Sequence, residues 1–279
     1  MSVDLLPGPT WLVGCGNMAG AMVEGWRSAD VDLSQAIAIR PSGTPVEGVR
    51  TVRSVGEAGR PPKFAILGFK PQKLDAIAPD LAPRLSAQTV VVSILAGVEA
   101  ASLRDRFPGA EAIVRAMPNL PVAVRRGVVG LFSADADDAL RQQLMQLFAA
   151  LGFVAWTASE AELAAIGSVA GAGPAYAARF IAALAKAGVK RGLDPAIAST
   201  LALETVLGTG WLAAASGEPM DAIVRRVASP NGTTEAGLAV LDPELDALLA
   251  RTIDAAAERG AELAEAARAP KLAAATPLA

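Results

Sequence analysis

Two short runs of the sequence are apolar almost without interruption, and they restrict the fold more than any other feature of the chain. They are residues 64–68, which read FAILG, and residues 89–95, which read TVVVSIL. A strand with one solvent-exposed face alternates apolar and polar residues. An unbroken apolar run is instead typical of a strand buried on both faces of a parallel sheet. Residues 71–85 begin with proline and predict a helix between the two strands.

Strand and helix patterns alternate through about residue 158. Further strands are predicted at residues 10–14, 35–39, 112–115, 128–132 and 153–156, with a helix at residues 17–29. This alternation is the signature of an α/β layer fold. We therefore predict a Rossmann-type α/β domain with a parallel-dominated sheet over residues 1–158.

The sequence becomes alanine-rich after residue 158 and contains no convincing strand there. Helices are predicted at residues 159–169, 174–191, 194–216, 219–227 and 243–267. Residues 176–189 are apolar nearly all round the helix, and such a helix requires burial on every side. We predict an all-α dimerisation domain over residues 159–268, which packs against a second subunit, followed by a disordered tail at residues 269–279.

Composition excludes several kinds of chemistry. The 279 residues include no histidine, which excludes a Ser-His-Asp triad, a histidine-bound metal and imidazole acid–base catalysis. The single cysteine, Cys15, excludes an intrachain disulfide and a thiolate zinc cluster. A net charge of −3 without a basic block argues against a nucleic-acid partner. With no run of about 18 apolar residues and no positively charged leader, we expect a cytoplasmic protein without a membrane partner or a metal.

The turn between the first strand and the first helix predicts a dinucleotide site. Residues 14–19 read GCGNMA and fit the pattern G-x-G-x-x-A. Gly14 makes the tight turn, Gly16 lets the backbone approach a pyrophosphate, and a small third residue permits close packing of helix on strand. Asn17 and Met18 lie at the helix start, where free N–H groups favour phosphates. The alternative is a tight turn without a ligand.

The end of the second strand indicates which dinucleotide is bound. An NAD site usually carries Asp or Glu there, to bind the ribose 2′-hydroxyl. This chain has Arg40 and Ser42, and a guanidinium group pairs with a 2′-phosphate by charge-assisted hydrogen bonds. We predict NADP(H) as the preferred cofactor, with NAD(H) possible. The alternative for Arg40 is a solvated surface side chain.

Two further loops follow predicted strands, at the edge of the sheet where ligands bind in doubly wound folds. One contains Phe69, Lys70 and Pro71, and the other contains Leu95 and Ala96. Small residues there allow a nicotinamide ring to lie against the backbone, and Lys70 forms a cationic wall. The alternative for Lys70 is a lysine at a helix start without a ligand, where its charge is unfavourable.

Six segments, in chain order, resemble the pyrroline-5-carboxylate reductase family. They read GCGNMAGA, FKPQ, SILAGV, RAMPNLP, GAGPAYAARFIAALAKAGVKRGL and SPNGTT, and the GAGPAY and SPNGTT parts are the most specific. The resemblance implies a Rossmann-type domain and a helical domain that interlocks as a homodimer, often assembled into a homodecamer. It also implies hydride transfer from NAD(P)H to the C=N carbon of 1-pyrroline-5-carboxylate, which gives L-proline in the final step of proline biosynthesis.

The resemblance also assigns roles within SPNGTT, whose hydroxyl and backbone N–H groups suit the carboxylate of a small imino acid. Thr234 is the catalytic residue and bonds the ring nitrogen, while Thr233 holds the carboxylate. Ser229 and Gly232 complete this part of the substrate site. Glu160 matches a position that faces the positive charge of the nitrogen. The alternative is an ordinary helix cap, since Ser, Thr and Asn favour helix starts.

Several positions depart from the family pattern. Two serines of the family are replaced by Ala170 and Ala172, and its threonine before proline is replaced by Leu120. A glycine of its late turn is Asn231, and an asparagine expected near Ser54 and Val55 is absent. Two alternatives stay open, and the two lost serines motivate the first of them. One is a reductase of another small cyclic imine such as a piperideine carboxylate, and the other is a non-catalytic nucleotide-binding assembly protein.

Overall fold

A computed structural model describes residues 3–6 and 8–268 and confirms the predicted fold class. Eight strands form one sheet: β1 Thr10–Val13, β2 Ala36–Ile39, β3 Arg50–Val52, β4 Phe64–Leu67, β5 Val90–Ser93, β6 Ala112–Pro118, β7 Gly127–Phe132 and β8 Gly152–Trp156. The α-helices are α1 Asn17–Ser28, α2 Leu74–Leu81, α3 Ala100–Arg106, α4 Asp138–Ala149, α5 Glu160–Ile166, α6 Gly173–Lys190, α7 Pro195–Ser216, α8 Met220–Val227 and α9 Thr233–Arg268.

The sheet order fixes where a ligand can bind. The strands lie in the order β3-β2-β1-β4-β5-β6-β7-β8. β1 to β6 are parallel, β7 pairs antiparallel with β6, and β8 runs parallel to β7. The chain order reverses between β1 and β4, and open α/β sheets bind ligands in the crevice at the carboxyl ends of the strands on either side of such a point.

The core lies on both faces of the sheet, as the unbroken apolar runs predict. The neighbouring residues Val91 and Val92 are both fully buried, yet they belong to opposite core clusters. Trp26 and Phe148 fill one cluster, and Trp11 fills the other together with further apolar side chains. Burial of each valine stabilises the fold by about 1.5–3 kcal/mol, so the paired clusters hold β5 in the middle of the sheet.

Some elements differ from the sequence-based expectation. The sequence patterns do not predict β3, α3 or α4, and the first of these is a three-residue edge strand with one buried side chain. The last helix begins at Thr233 rather than residue 243, because Pro243 is accommodated inside α9. Residues 40–49 join β2 to β3 without a helix, although parallel neighbours usually need a crossover of about a dozen or more residues.

The chain divides into two compact units. Among the described residues, the first comprises those up to Gly171 together with residues 256–268, and the second is Ala172–Ala255. In the second unit α6 packs on α7, but its buried hydrophobic residues are only Ala198, Ala202 and Ile223 among the residues that the structure describes. The domain boundaries inferred from the sequence stay predictions, and the tail predicted at residues 269–279 lies outside the described residues.

One helix, α7, meets the length and hydropathy required to cross a membrane, the only one to do so in residues 3–6 and 8–268. Its most apolar window has a mean hydropathy of 1.3 and is 17% buried. A single helix of this kind is weak evidence for a membrane span. A helix that lies in an apolar subunit interface has the same composition.

Candidate active site

A cavity of about 1190 Å³ opens where β1 to β5 end. The residues that follow these strands line it, and they include nine of the predicted cofactor residues: Gly14, Gly16, Asn17, Arg40, Ser42, Phe69, Lys70, Pro71 and Ala96. The parallel sheet thus brings together positions that are up to 82 residues apart in the sequence, Gly14 and Ala96 being the extremes.

Close packing explains the first glycine of the turn. Gly14 has a φ of 75°, and a Cβ atom placed on it would lie 2.7 Å from the Cβ of Phe69. Gly68 is equally restricted, because its Cβ would lie 2.7 Å from the Gly14 carbonyl oxygen and 2.9 Å from the Cβ of Ala19. The ends of β1 and β4 therefore touch, and only very small residues fit between them and α1.

The second glycine has no such structural cause. Gly16 has a φ of −84°, and the nearest atom to an added Cβ is the Gly68 carbonyl oxygen at 3.8 Å. α1 begins one residue later without a side-chain cap from any described residue, so its first N–H groups, including those of Asn17 and Met18, have no partner inside the helix. The Met18 side chain packs partly buried against the core, so this residue can offer only its N–H to the cavity. The open surface beside Gly16 can accept an anion against bare backbone.

The cavity is cationic although the chain carries a net charge of −3. Its lining contains one carboxylate, Asp80, and five cationic side chains: Arg40, Arg53, Lys70, Lys73 and Arg84. Burial raises the pKa of the Cys15 thiol, and the nearby positive charge of Arg40 opposes that shift only in part. The thiol therefore stays uncharged at neutral pH and adds no negative charge to the turn. A cleft with one sign of charge concentrates ligands of the opposite sign.

Three of these cations, Arg53, Lys73 and Arg84, are not among the residues that the sequence patterns select. Arg53 follows β3, a strand too short and too polar to be recognised from its alternation. The signal that could have found it is topological. Because β3 pairs with β2, residues that follow β3 reach the same sheet edge as Arg40.

The loop after β5 contributes less than the sequence predicts. Ile94 and Ala96 line the cavity, but Leu95 is 2% exposed and its side chain lies in the core. Gly97 has a φ of 73°, and a Cβ on it would lie 3.1 Å from Leu263 of α9. The last turns of α9 thus pack against this loop, and Leu95 can reach a cofactor only through its backbone.

Glu160 lies outside the cavity lining, in an ion pair. One of its carboxylate oxygens accepts a hydrogen bond from Arg115 of β6, which is nearly buried, and the other accepts the Ala100 N–H at 2.7 Å. Glu160 therefore joins β6 to the start of α3, directly after the β5 loop. Its predicted contact with a substrate nitrogen stays a prediction.

The late turn, SPNGTT, belongs to the second compact unit and leads into α9. Asn231 has a φ of 58°, the Gly232 N–H donates to the Ser229 carbonyl oxygen at 3.0 Å, and a Cβ on Gly232 would lie 2.4 Å from the Ser229 Oγ. α9 begins at Thr233. The Thr233 and Thr234 hydroxyls have no hydrogen-bond partner in the described part of the chain. Because both residues lie in the first turn of α9, their hydroxyls are close to the N–H groups that have no partner inside the helix. This geometry suits a small carboxylate.

Comparison with known proteins connects these features to one family. Residues 11–97 match a family model described as NADP oxidoreductase, coenzyme F420-dependent, and residues 160–263 match one described as pyrroline-5-carboxylate reductase dimerisation. The pyrroline-5-carboxylate reductase of Pseudomonas aeruginosa is 37% identical over 261 residues, which cover 91% of this chain and 96% of the relative. The chain belongs to the pyrroline-5-carboxylate reductase family.

Other pyrroline-5-carboxylate reductases agree over the same length. The enzyme of Pisum sativum is 32% identical and covers 90% of this chain and 94% of its own. The solved structure of a pyrroline-5-carboxylate reductase from Coxiella burnetii has a TM-score of 0.85 and 29% identity, and covers 92% of this chain and 98% of that one. The family resemblance inferred from the sequence is thus confirmed over both the sheet and the helical region.

Proposed function

We propose that this protein reduces 1-pyrroline-5-carboxylate to L-proline with a hydride from NAD(P)H. The observation that carries the proposal is the cationic cavity at the glycine turn, in a chain related over nine-tenths of its length to pyrroline-5-carboxylate reductases. The reaction belongs to proline biosynthesis, and we assign it to the cytoplasm. The nicotinamide cofactor agrees with the NADP oxidoreductase model that matches residues 11–97.

The cofactor residues divide by the part of the molecule that they bind. Gly14 and Gly16 would let the backbone approach the pyrophosphate, and the N–H groups of Asn17 and Met18 would donate hydrogen bonds to it. Arg40 and Ser42 face the adenosine ribose and favour NADP(H), with NAD(H) possible. The loops after β4 and β5 would hold the nicotinamide end through the residues Phe69, Lys70, Pro71, Leu95 and Ala96.

The reaction requires little of the side chains beyond positioning the substrate. A cyclic imine takes its proton from water before or upon binding, so a chain without histidine can act on it. A reduced nicotinamide held there would supply a hydride to the C=N carbon of the protonated imine, and the double-bond electrons would become the amine lone pair. Thr234 bonds and orients the ring nitrogen, and Thr233, Ser229 and Gly232 hold the carboxylate. Catalysis then rests on orientation and electrostatics.

Self-association completes the proposal. The model matched by residues 160–263 describes dimerisation, and large apolar side chains of α6 and α7 such as Phe180 and Leu207 are 47% exposed. Exposed apolar surface of this kind marks a protein–protein interface. We propose a homodimer through the helical region, with a homodecamer as its larger assembly.

The activity test compares imine ring sizes. NADPH oxidation, followed by its loss of absorbance, is measured with the five-membered pyrroline carboxylate and with a six-membered piperideine carboxylate. We expect kcat/KM at least about tenfold higher for the smaller ring, which corresponds to about 1.4 kcal/mol in the transition state. Preference for the larger ring would transfer the assignment to that substrate, an outcome that Ala170 and Ala172 make worth testing. Absence of oxidation with either imine would indicate a non-catalytic nucleotide-binding protein.

Two alanine substitutions in the glycine turn distinguish the glycine that the fold requires from the glycine that cofactor binding requires. Gly16→Ala has room for its methyl group in the fold, so we expect unchanged thermal stability but NADPH binding weakened about tenfold or more, because the methyl occupies the approach of the pyrophosphate. Gly14→Ala meets Phe69 and needs a positive φ, so we expect a loss of stability of about 1–3 kcal/mol. Thermal unfolding and NADPH fluorescence titration measure both variants. Undiminished NADPH binding by Gly16→Ala would contradict the role given to this turn.

A further inference from the structure

The connection from β2 to β3 replaces the usual crossover helix by a short polar turn. Residues 40–49 are held by side-chain contacts instead: the Ser42 and Thr44 hydroxyls lie 2.9 Å apart, and Glu47 forms an ion pair with Arg27 of α1 at 2.6 Å. Gly43 has a φ of 69°. The adenosine end of the proposed cofactor site is therefore bordered by a compact turn, Ser42 to Thr44.

Two guanidinium groups lie on this same turn. The Nη1 of Arg40 donates to the Thr44 carbonyl oxygen at 3.0 Å. Arg53 comes from the neighbouring strand, and a Cβ placed on Gly43 would lie 2.8 Å from its Nε and 2.9 Å from its Cζ. The Arg53 guanidinium thus rests directly on Gly43, and both arginines line the cavity.

The two guanidinium groups differ in the hydrogen bonds that they donate within the protein. Arg40 uses one of its donors to hold the turn. The Arg53 guanidinium donates no hydrogen bond to a residue within the described ranges. The nearby Glu57 carboxylate accepts hydrogen bonds from the Ser54 hydroxyl at 2.7 Å and from the Arg53 backbone N–H at 3.4 Å. Arg53 therefore presents an exposed cationic fork whose donors are available to a ligand.

We infer that Arg53 is a specificity residue for the 2′-phosphate of NADP(H), with Arg40 and the hydroxyls of Ser42 and Thr44 as its helpers. The inference rests on the proposed function, since it requires a dinucleotide in this cavity. A dianionic phosphate monoester neutralises both guanidinium groups through charge-assisted hydrogen bonds. The 2′-hydroxyl of NAD(H) carries no charge and makes only neutral hydrogen bonds with these two guanidinium groups. Arg53 carries the larger share because its donors are not already engaged.

The test measures binding rather than turnover. Adenosine 2′,5′-bisphosphate and adenosine 5′-monophosphate are titrated calorimetrically into the full-length protein and its Arg53→Gln, Arg53→Lys and Arg40→Gln variants. For Arg53→Gln we expect affinity for the bisphosphate to fall about 10- to 100-fold, with affinity for the monophosphate changed less than about threefold. Arg53→Lys recovers part of the loss, and Arg40→Gln has a smaller effect than Arg53→Gln.

The matched control is Arg84→Gln, which removes a guanidinium group from the same cavity but from beside Gly56 rather than Gly43. It is expected to change affinity for the two nucleotides by equal factors. An equal loss of discrimination in Arg84→Gln, or unchanged discrimination in Arg53→Gln, overturns the role of Arg53 while leaving the proposed function intact. If the wild-type protein binds neither nucleotide, the proposed function fails and this inference fails with it.

Discussion

Replacement of Thr234 by alanine is expected to lower kcat about 100-fold, because a positioned hydrogen-bond donor contributes this much when it orients the reacting group. The Thr234 side chain is half-buried in the first turn of α9, and no described residue takes a hydrogen bond from its hydroxyl. Removal of the hydroxyl therefore costs the fold little, and the loss falls on the reaction. Steady-state kinetics with pyrroline carboxylate and an NADPH titration measure the two effects, and we expect the Kd for NADPH to change by less than about twofold.

The controls for Thr234 distinguish hydroxyl chemistry from packing. Thr234→Ser keeps the hydroxyl and should retain most of the turnover. Thr233→Ala removes a group assigned to the carboxylate and should raise KM more than it lowers kcat. A kcat for Thr234→Ala within about threefold of the wild-type value would remove Thr234 from the mechanism.

Replacement of Leu207 by glutamate is expected to dissociate the proposed homodimer and to abolish most of the activity. Leu207 lies on the exposed side of α7, away from the buried Ala198 and Ala202 that face α6. A carboxylate buried in an apolar subunit interface costs several kcal/mol, so the dimer dissociation constant should rise at least about 100-fold. Analytical ultracentrifugation at micromolar concentration, combined with an activity assay, measures both results.

A second added charge provides the control for Leu207. Gln142→Glu adds the same charge to an exposed position of α4, outside the helical region matched by the dimerisation model, and should leave mass and activity unchanged. A wild-type protein that sediments as a monomer, or a Leu207→Glu variant that stays dimeric, would contradict the assignment of α7 to the interface.

The sequence predicts the sheet and the glycine turn because their causes are local. The apolar runs of β4 and β5 are buried on both faces, and Gly14 is fixed by its φ and by the contact with Phe69. Parallel strands that end at one edge then bring distant loops together without further information. This is why nine of the predicted cofactor residues line a single cavity.

The rest depends on contacts that no local pattern encodes. Leu95 follows a strand as predicted, but side chains next to each other in such a loop face opposite ways, and this one enters the core. Glu160 pairs with Arg115 through an approach of β6 and α5 that only the tertiary fold creates. Arg53 can be assigned to the site only once the pairing of β3 with β2 is known, because the residues of β3 lack the apolar–polar alternation of a strand.

The most direct test of the central assignment follows the hydride itself. The full-length protein is incubated with 1-pyrroline-5-carboxylate and NADPH that carries deuterium on the transferred position of the nicotinamide. We expect L-proline with a single deuterium on the ring carbon that was the imine carbon, formed in equal amount to the NADP⁺ produced. Unlabelled proline, or no consumption of NADPH, would contradict this assignment.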